Sequence, residues 1–477
     1  MDELTASDEG RAAAAVAARD SYSRLLALLS ASTSDLTSAE DALADAFERA
    51  LRTWPDQGVP GSPDGWLLTV ARNRLRDRWK SAEWQRIGPL DVERDAPVHF
   101  DGLDLDAIPD QRLELMLVCA HPAIERAVHT PLMLNTVLGF TAEQVGRAFS
   151  VPASTMATRL VRAKRRIKAA RIPFRIPDRS DLPGRMAAVL EAVYGAYVID
   201  WATTGPEARQ VPTEALHLAE VLTTLVPDDP EAHGLAALVQ LSSARLPARL
   251  DGYGRFVPLA EQDPSRWNDR LIHRAHGHLR AAHARGQVGR FQLEAAVQAV
   301  HCARRQTGTT DWPALLDLHR ALHTVAPSLG GAVAFAVATA EVDGPAVGLA
   351  RLDALLSVAS DRTRRFQPAR AARAYLLERL GRHAEAAGAY ESAIDLTHDP
   401  AEREYLQHRR ERITSPQHMG AVAALGQLAD LAEPQNGLLG AMKVRNRRAD
   451  HERTLCSPRS SSSEISPGSA GRAKRKP

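Results

Sequence analysis

Apolar side chains recur along this chain at three- and four-residue intervals, with no long alternating β-branched run, and the pattern predicts an all-α protein. Tyr22, Leu25, Leu26, Leu28 and Leu29 give a first apolar helix, ended by the Ser/Thr/Asp stretch Ser30–Ser38. In the next helix, Ala39–Trp54, the face expected to be buried carries Leu43, Ala46, Phe47, Ala50 and Leu51. Asp41, Asp45 and Glu48 form an acidic stripe on it at i, i+4, i+7, either a solvated face or a docking surface for a basic partner. A loop over 55–65 leads into Trp66–Lys80, WLLTVARNRLRDRWK, where Trp66, Leu67, Val70, Leu75 and Trp79 supply packing and Arg72, Arg74, Arg76, Arg78 and Lys80 the charge. Residues 81–110 have no periodicity and are rich in Asp, Pro and Gly, as a linker would be. Helical segments resume from Gln111 to Leu138, broken at His121–Pro122.

Thr141–Arg171 then reads as two short helices around a tight turn. Thr141 stands at an N-cap position, and Val145, Ala148 and Phe149 make the apolar face of the first helix. Ser150–Val151–Pro152 breaks it, because proline disfavours helical geometry in the residue before it. On the second helix Met156, Leu160 and Ile167 line one face, Arg159, Arg162, Arg165, Arg166 and Lys168 spread over the rest, and no acid occurs from Val151 to Arg171. This is the helix-turn-helix pattern, whose second helix enters the DNA major groove with its N-terminal half. The alternative is a bundle helix with a solvated basic face. The Trp66–Lys80 helix suits strand-separated DNA: arginines hold phosphates, aromatic rings stack on bases and Asn73 can hydrogen-bond a base edge.

Pro173, Pro177 and Pro183 mark a boundary, after which Met186–Val226 and Glu231–Ala244 read as amphipathic helices. A turn at Asp251–Gly252 suggests a small hairpin, and Asp263–Pro264–Ser265 fits the start of a Ser265–Ala284 helix. Helix pairs recur from about 286 to 415. In LGRHAEAAGAYESAIDL, Gly381, Ala384, Ala387 and Ala393 are small residues that would let two helices pack closely.

At 477 residues the chain has room for two to four domains. The formal net charge of +2 conceals basic blocks at 72–80 and 159–175 and acids gathered between 83 and 110, so local patches govern any nucleic-acid contact. Cys119, Cys302 and Cys456 lie far apart without a CxxC, so no disulfide framework is expected. The acidic N-terminus has no apolar signal core and no apolar run reaches membrane-spanning length, which predicts a cytoplasmic protein without a membrane partner. His273, His276, His278 and His283 share a helical face only in part and lack a completing ligand, so no metal is expected. With no nucleophile elbow, GxxxxGK[ST] or GxGxxG phrase, neither an enzyme nor a cofactor is expected.

AEDALADAF, WPDQGVP, WLLTVARNRLRDRW, an acidic linker and VPASTMATRLVRAKRRI occur in this order, and together they resemble the extracytoplasmic-function sigma factors of the sigma-70 family. LMLVCAHPAI, VLEAVYGAY, DGYGRFVPLAEQDPSRWN, FQLEAAVQAVH and TDWPALLDLHRAL resemble a subgroup with a tetratricopeptide-like helical extension. The resemblance covers roughly residues 20–415 and implies sigma region 2 (20–82), an acidic linker (83–110), sigma region 4 (111–175), a helical extension domain (183–285) and helical repeats (286–415); residues 1–19 are expected to be a flexible N-terminus, and the Ser/Arg/Lys-rich tail (431–477), which resembles nothing in the family, is expected to be disordered. It implies core RNA polymerase as partner, through its β′ clamp and β subunits, with Asp41, Asp45 and Glu48 docking on the clamp. Promoter DNA is the second partner. Arg72, Asn73, Arg76, Asp77, Arg78 and Lys80 would meet the −10 element, and Ser154, Thr155, Thr158, Arg159, Arg162 and Arg165 the −35 element. The repeats would take a protein or peptide ligand. Val198–Ile199–Asp200–Trp201 and GGAVAFAVATAEVDG depart from the subgroup's phrases, which touches regulation rather than DNA reading. Two rivals stay open: a helix-turn-helix regulator that binds duplex DNA, and a repeat scaffold whose basic helices are only surface.

Overall fold

The structure, a computed structural model, describes residues 10–18, 21–33, 35–80, 111–149, 151–174, 177, 181–201, 213–358 and 361–414. Nineteen α-helices follow one another from Tyr22 onward and no β-strand occurs among the described residues, so the chain is all-α. The acidic linker and the 431–477 tail lie outside the described residues. Within the N-terminal stretch expected to be flexible, 10–18 is helical, with Ala14 and Ala17 buried. Gly10 sits so close to the Trp54–Pro55 backbone that a Cβ would lie 2.6 Å from the Pro55 nitrogen.

Three helices form the first unit: α1 (Tyr22–Thr33), α2 (Leu36–Gln57) and α3 (Pro63–Lys80). Asp35 caps α2, accepting from the Ser38 backbone N–H at 3.3 Å and from Ser38 Oγ at 2.8 Å. The helix runs three residues past Trp54, through Pro55, and stops at Gly58, whose φ of 82° favours glycine. The expected break at Trp54 is therefore corrected. So is the burial of Leu51, which is 49% exposed, because Ala39, Ala42, Leu43, Ala46, Ala50 and Trp54 already fill the inward face of α2.

The second unit comprises α4 (Gln111–Cys119), α5 (Arg126–Thr136), α6 (Ala142–Phe149) and α7 (Ala153–Ala169). Cys119 and His121 play structural parts: Cys119 is fully buried, and His121 Nδ1 accepts the Ala123 N–H just beyond the helix end. Next comes α8 (Leu182–Trp201), apolar almost all round its circumference, as a helix enclosed on every side must be. It packs on α4 and α5 behind it and on α9 (Thr213–Leu225) and α10 (Pro230–Ala244) ahead. Through it a single apolar core runs from Leu25, Leu43 and Leu67 through Met116, Leu132 and Leu160 to Val189, Leu235, Phe291 and Cys302.

Beyond α10 the expected hairpin is one antiparallel bridge, Leu250 to Phe256, with Asp251 accepting the backbone N–H groups of Tyr253 and Arg255. The Ser265–Ala284 helix is corrected at its start. Asp263 caps only a 3-10 turn, Pro264–Arg266. Trp267 is then extended so that its indole can bury against Ala248 and Leu259, and Asn268 caps the true helix, α11 (Asp269–His283). Successive helices α12 (Arg290–Thr307), α13 (Trp312–Val325), α14 (Leu329–Asp343) and α15 (Pro345–Ser357) each pack on the next. After the short α16 (Asp361–Arg364), α17 (Gln367–Arg379), α18 (His383–Leu396) and α19 (Pro400–Thr414) do the same. Val333, Leu352, Tyr375, Tyr390 and Leu406 belong to their separate core. Of the small residues expected between helices, Ala393 is buried, whereas Ala384 is exposed and Gly381, at φ 70°, makes the turn after α17. Close helix approach occurs instead at Gly348, where a Cβ would stand 2.3 Å from Ala340 Cβ.

That geometry separates two glycines that sequence treats alike. Gly348→Ala is expected to destabilise by about 1–3 kcal/mol, through overpacking of α14 on α15. Gly388→Ala, in open space on α18, is expected to stabilise by roughly 0.5–1 kcal/mol. Denaturant unfolding followed by circular dichroism distinguishes the two. Burial also pushes the Glu402 carboxyl up to about 7, with Arg249, 3.5 Å away, opposing the rise. The folded chain thus holds this proton more tightly than the unfolded one. The resulting stability is present below the ordinary glutamate range and lost as pH rises through about 7. Glu402→Gln is expected to flatten the decline in melting temperature between about pH 5 and 8, measured by thermal scans.

Candidate nucleic-acid interface

Two basic helices carry the candidate contacts, and each owes its exposed face to the apolar face behind it. On α7, Met156, Leu160, Ala163 and Ile167 are buried. At 100° per residue they form one stripe, which turns Ser154, Thr155, Thr158, Arg159, Arg162 and Arg165 outward, and all six are exposed. A cap on α6 and a close contact behind it fix the turn before α7. Thr141 Oγ1 accepts the Gln144 N–H at 3.2 Å, and Gln144 Oε1 accepts the Thr141 N–H at 2.8 Å, a reciprocal capping box on α6. Gly146 lies where a Cβ would be 2.7 Å from the Val151 carbonyl oxygen, so the turn and α6 can close only on glycine. Arg159, Arg162 and Arg166 also line a cleft against Ala123, Ile124, Glu125 and Val128, an electropositive hollow beside the exposed face.

On α3 the outward side chains are Asn73, Arg74, Arg76 and Asp77, with Arg72 and Arg78 half-buried. The side chains of Trp79 and Lys80 lie outside the described residues. Trp66 meets the buried Trp54 edge-to-face, ring centroids 5.5 Å apart, and so holds α3 on α2 instead of presenting a free stacking platform. The acidic stripe and the basic helix face one another: Arg74 Nε lies 2.5 Å from Asp45 and Arg78 3.2 Å from Asp41. Glu48 pairs with Arg52 one turn away on its own helix. Asp41 and Glu48 are therefore exposed and Asp45 half-buried, all three already engaged, and Arg78 is directed toward α2.

Other groups in this region were not singled out by sequence. Arg24 of α1 pairs with Asp64 at the start of α3. On the flank of α7 away from the exposed arginines, Lys164 Nζ lies 2.5 Å from Glu40 and Lys168 Nζ 2.7 Å from Asp35, both acids belonging to the first unit. Burial pushes the Glu40 carboxyl above its usual range; Lys164 opposes the rise and Asp41 adds to it. Burial works in the same direction at Asp35, but the hydrogen bonds from Lys168 and Ser38 outweigh it and hold this carboxyl below the usual range. Only the intervals Lys164–Lys168 and Asp35–Glu40 are visible in sequence, and nothing local says that they meet. At the nearby Cys119, burial pushes the thiol up to about 12, which removes it as a nucleophile near neutral pH.

Among the described residues no group of three or more His, Cys, Asp or Glu could hold a metal ion. The four histidines of α11 do not converge. His278 meets His233 at 3.0 Å and Glu220 at 3.3 Å, both on other helices. No helix among the described residues is long and apolar enough to cross a membrane.

Residues 18–85, which hold α1, α2 and α3, match sigma-70 region 2. Residues 185–283 match a family of unknown function (DUF6596). Over 389 residues, 80% of this chain, the sequence is 32% identical to Uncharacterized protein R00370 of Rhizobium meliloti (strain 1021), of which it covers 91%. No solved structure matches the chain.

Because the α2–α3 ion pairs are solvent-exposed, the double substitution Asp41→Asn with Asp45→Asn is expected to cost less than about 1 kcal/mol of folding stability. A urea midpoint within error of the parent would show that this surface can be altered without disturbing the core beneath it.

Proposed function

We propose that the chain is a member of the sigma-70 family and, within it, an alternative RNA polymerase sigma factor of the extracytoplasmic-function type, a cytoplasmic specificity subunit without catalysis of its own. The observation that carries the reading is the region 2 match over 18–85, a span in which an exposed acidic helix lies beside an exposed basic one. Asp41, Asp45 and Glu48 dock on the β′ clamp. Arg72, Asn73, Arg76, Asp77, Arg78 and Lys80 hold the −10 strand, and Ser154, Thr155, Thr158, Arg159, Arg162 and Arg165 read the −35 element in the major groove. In the free chain Asp45 and Arg74, and Asp41 and Arg78, neutralise one another. Binding exchanges these weak exposed pairs for the polymerase on one side and phosphates on the other. The extension from 183 onward regulates this activity, and its helical repeats, tetratricopeptide-like in character, take a protein or peptide ligand.

The test is transcription in vitro with purified core polymerase, the full chain and a pool of genomic fragments. Specific transcripts are expected, and charge reversal at Asp41 and Asp45 is expected to abolish core binding in a pull-down while leaving the fold intact. Arg159→Ala and Arg162→Ala are each expected to weaken −35 duplex binding by about 1–3 kcal/mol where the contact is bidentate, and to reduce the salt slope by roughly one. A full chain that binds duplex DNA but not core polymerase would instead be a helix-turn-helix regulator. Removing the extension is a poor test of regulation. Arg185 of α8 donates to the Leu117 carbonyl oxygen at 3.1 Å, Arg112 of α4 pairs with Glu214 of α9, and α8 shares the core of α5, so truncation near 180 strips buried surface from the DNA-reading unit.

A further inference from the structure

One side of α11 holds it to the molecule. Ala275 and Ala282 are buried there, and the helix packs on α10 and α12. At 100° per residue the opposite side carries Arg270, His273, Arg274, Gly277, Arg280 and Ala281 in one stripe. Its four basic side chains are exposed.

The stripe has an excess of positive charge. The acids that reach the helix are each matched: Asp269 by Arg305, Glu220 by Arg274 and Asp228 by Arg285. Among the described residues no carboxylate pairs with Arg270, His273 or Arg280. The surplus is felt inside the helix, where burial, and after it Arg280 and His273, hold the His276 imidazole below its usual range. In the middle of the stripe stands Gly277, with no atom within 4 Å of where a Cβ would lie. Glycine weakens a helix interior relative to alanine, and no packing within the molecule calls for it here. With Ala281 one turn on, it leaves the centre of the stripe low enough for an outside backbone to approach between the arginines.

The kind of partner follows from what the stripe lacks. Protein interfaces are anchored by aromatic or aliphatic side chains in desolvated pockets, and this face has neither anchor nor pocket. A phosphodiester backbone needs only cations and close approach. From Arg270 to Arg280 the helix advances about 15 Å at roughly 1.5 Å per residue. Phosphates of one duplex strand follow at about 3.4 Å along the axis, so several lie within reach. We propose that this face of α11 is a sequence-independent contact for the phosphate backbone of duplex DNA, separate from the two reading helices. It goes beyond the sigma-factor reading and does not depend on it, because any duplex supplies the phosphates.

The experiment uses the full chain with Cys456→Ser and a photoreactive phenyl azide on either Gly277→Cys or Gly388→Cys, both in open space. Cys119 and Cys302 are buried and stay unlabelled. Irradiation with a duplex of random sequence is expected to cross-link position 277 about tenfold or more above position 388, with a yield that falls steeply as salt is added. Arg270→Gln with Arg280→Gln is expected to lower the salt slope of duplex binding, read by fluorescence anisotropy, by roughly two. Arg270→Lys with Arg280→Lys, which keeps the charge, should leave the slope near the parent's, and circular dichroism checks that every variant is folded. Equal cross-linking at 277 and 388, or an unchanged slope in the glutamine pair, would overturn the proposal. So would cross-linking that polyglutamate suppresses at lower concentration than competitor duplex of equal charge, which would make the stripe a dock for an acidic protein. A DNA contact at 277 in a chain that fails to bind core polymerase would keep this surface and sink the sigma-factor reading. Promoter-specific transcripts from a chain without that contact would do the reverse.

Discussion

Everything in the N-terminal half depends on sharing one apolar core. A three-helix unit such as α1–α3, or a four-helix unit such as α4–α7, is near the size at which burial barely offsets chain entropy. Here neither closes its core alone. α1, with Leu25 and Leu29, packs on α4, with Met116 and Val118, and α8, with Val189 and Val193, packs on α5, with Leu132 and Met133, all within one buried cluster. The part of the chain from α8 onward is thus a structural member of the N-terminal half as well as an addition to it. Its first helix could not be apolar on all sides if it merely followed a linker.

Charge is distributed according to what each contact must withstand. Where units must stay joined, ion pairs are buried and multiply bonded: Arg290 bridges Glu191 of α8 at 2.8 Å and Glu294 of its own helix at 2.7 Å, over the Tyr194 ring. Between α2 and α3, as at Asp45 and Arg74, the pairs are instead exposed and cheap to break. The α2–α7 contact lies between these extremes. Its Lys164–Glu40 pair is shielded, at 16% and 19% exposure, whereas Lys168, 60% exposed, reaches a buried Asp35 from the surface.

The sequence by itself determined the helices and which face of each basic helix is exposed, because both depend on local spacing. The stripe of Met156, Leu160 and Ile167 implies its own opposite face whatever packs against it, so helical spacing alone places Ser154 to Arg165 on the outside. Errors arose where the partner decides. Leu51 has the spacing of a core residue but finds no neighbour to bury it, and Asp263 has the chemistry of a helix cap, yet the burial of Trp267 interrupts the helix it would have started. Ala384 and Gly348 exchange the roles that composition suggests, because close approach is a property of two helices at once. The meeting of Lys164 with Glu40 and Lys168 with Asp35, across more than a hundred residues, has no local signature at all. Only the tertiary structure decided it, since charges so distant in sequence are brought together by the shared core and not by their own attraction.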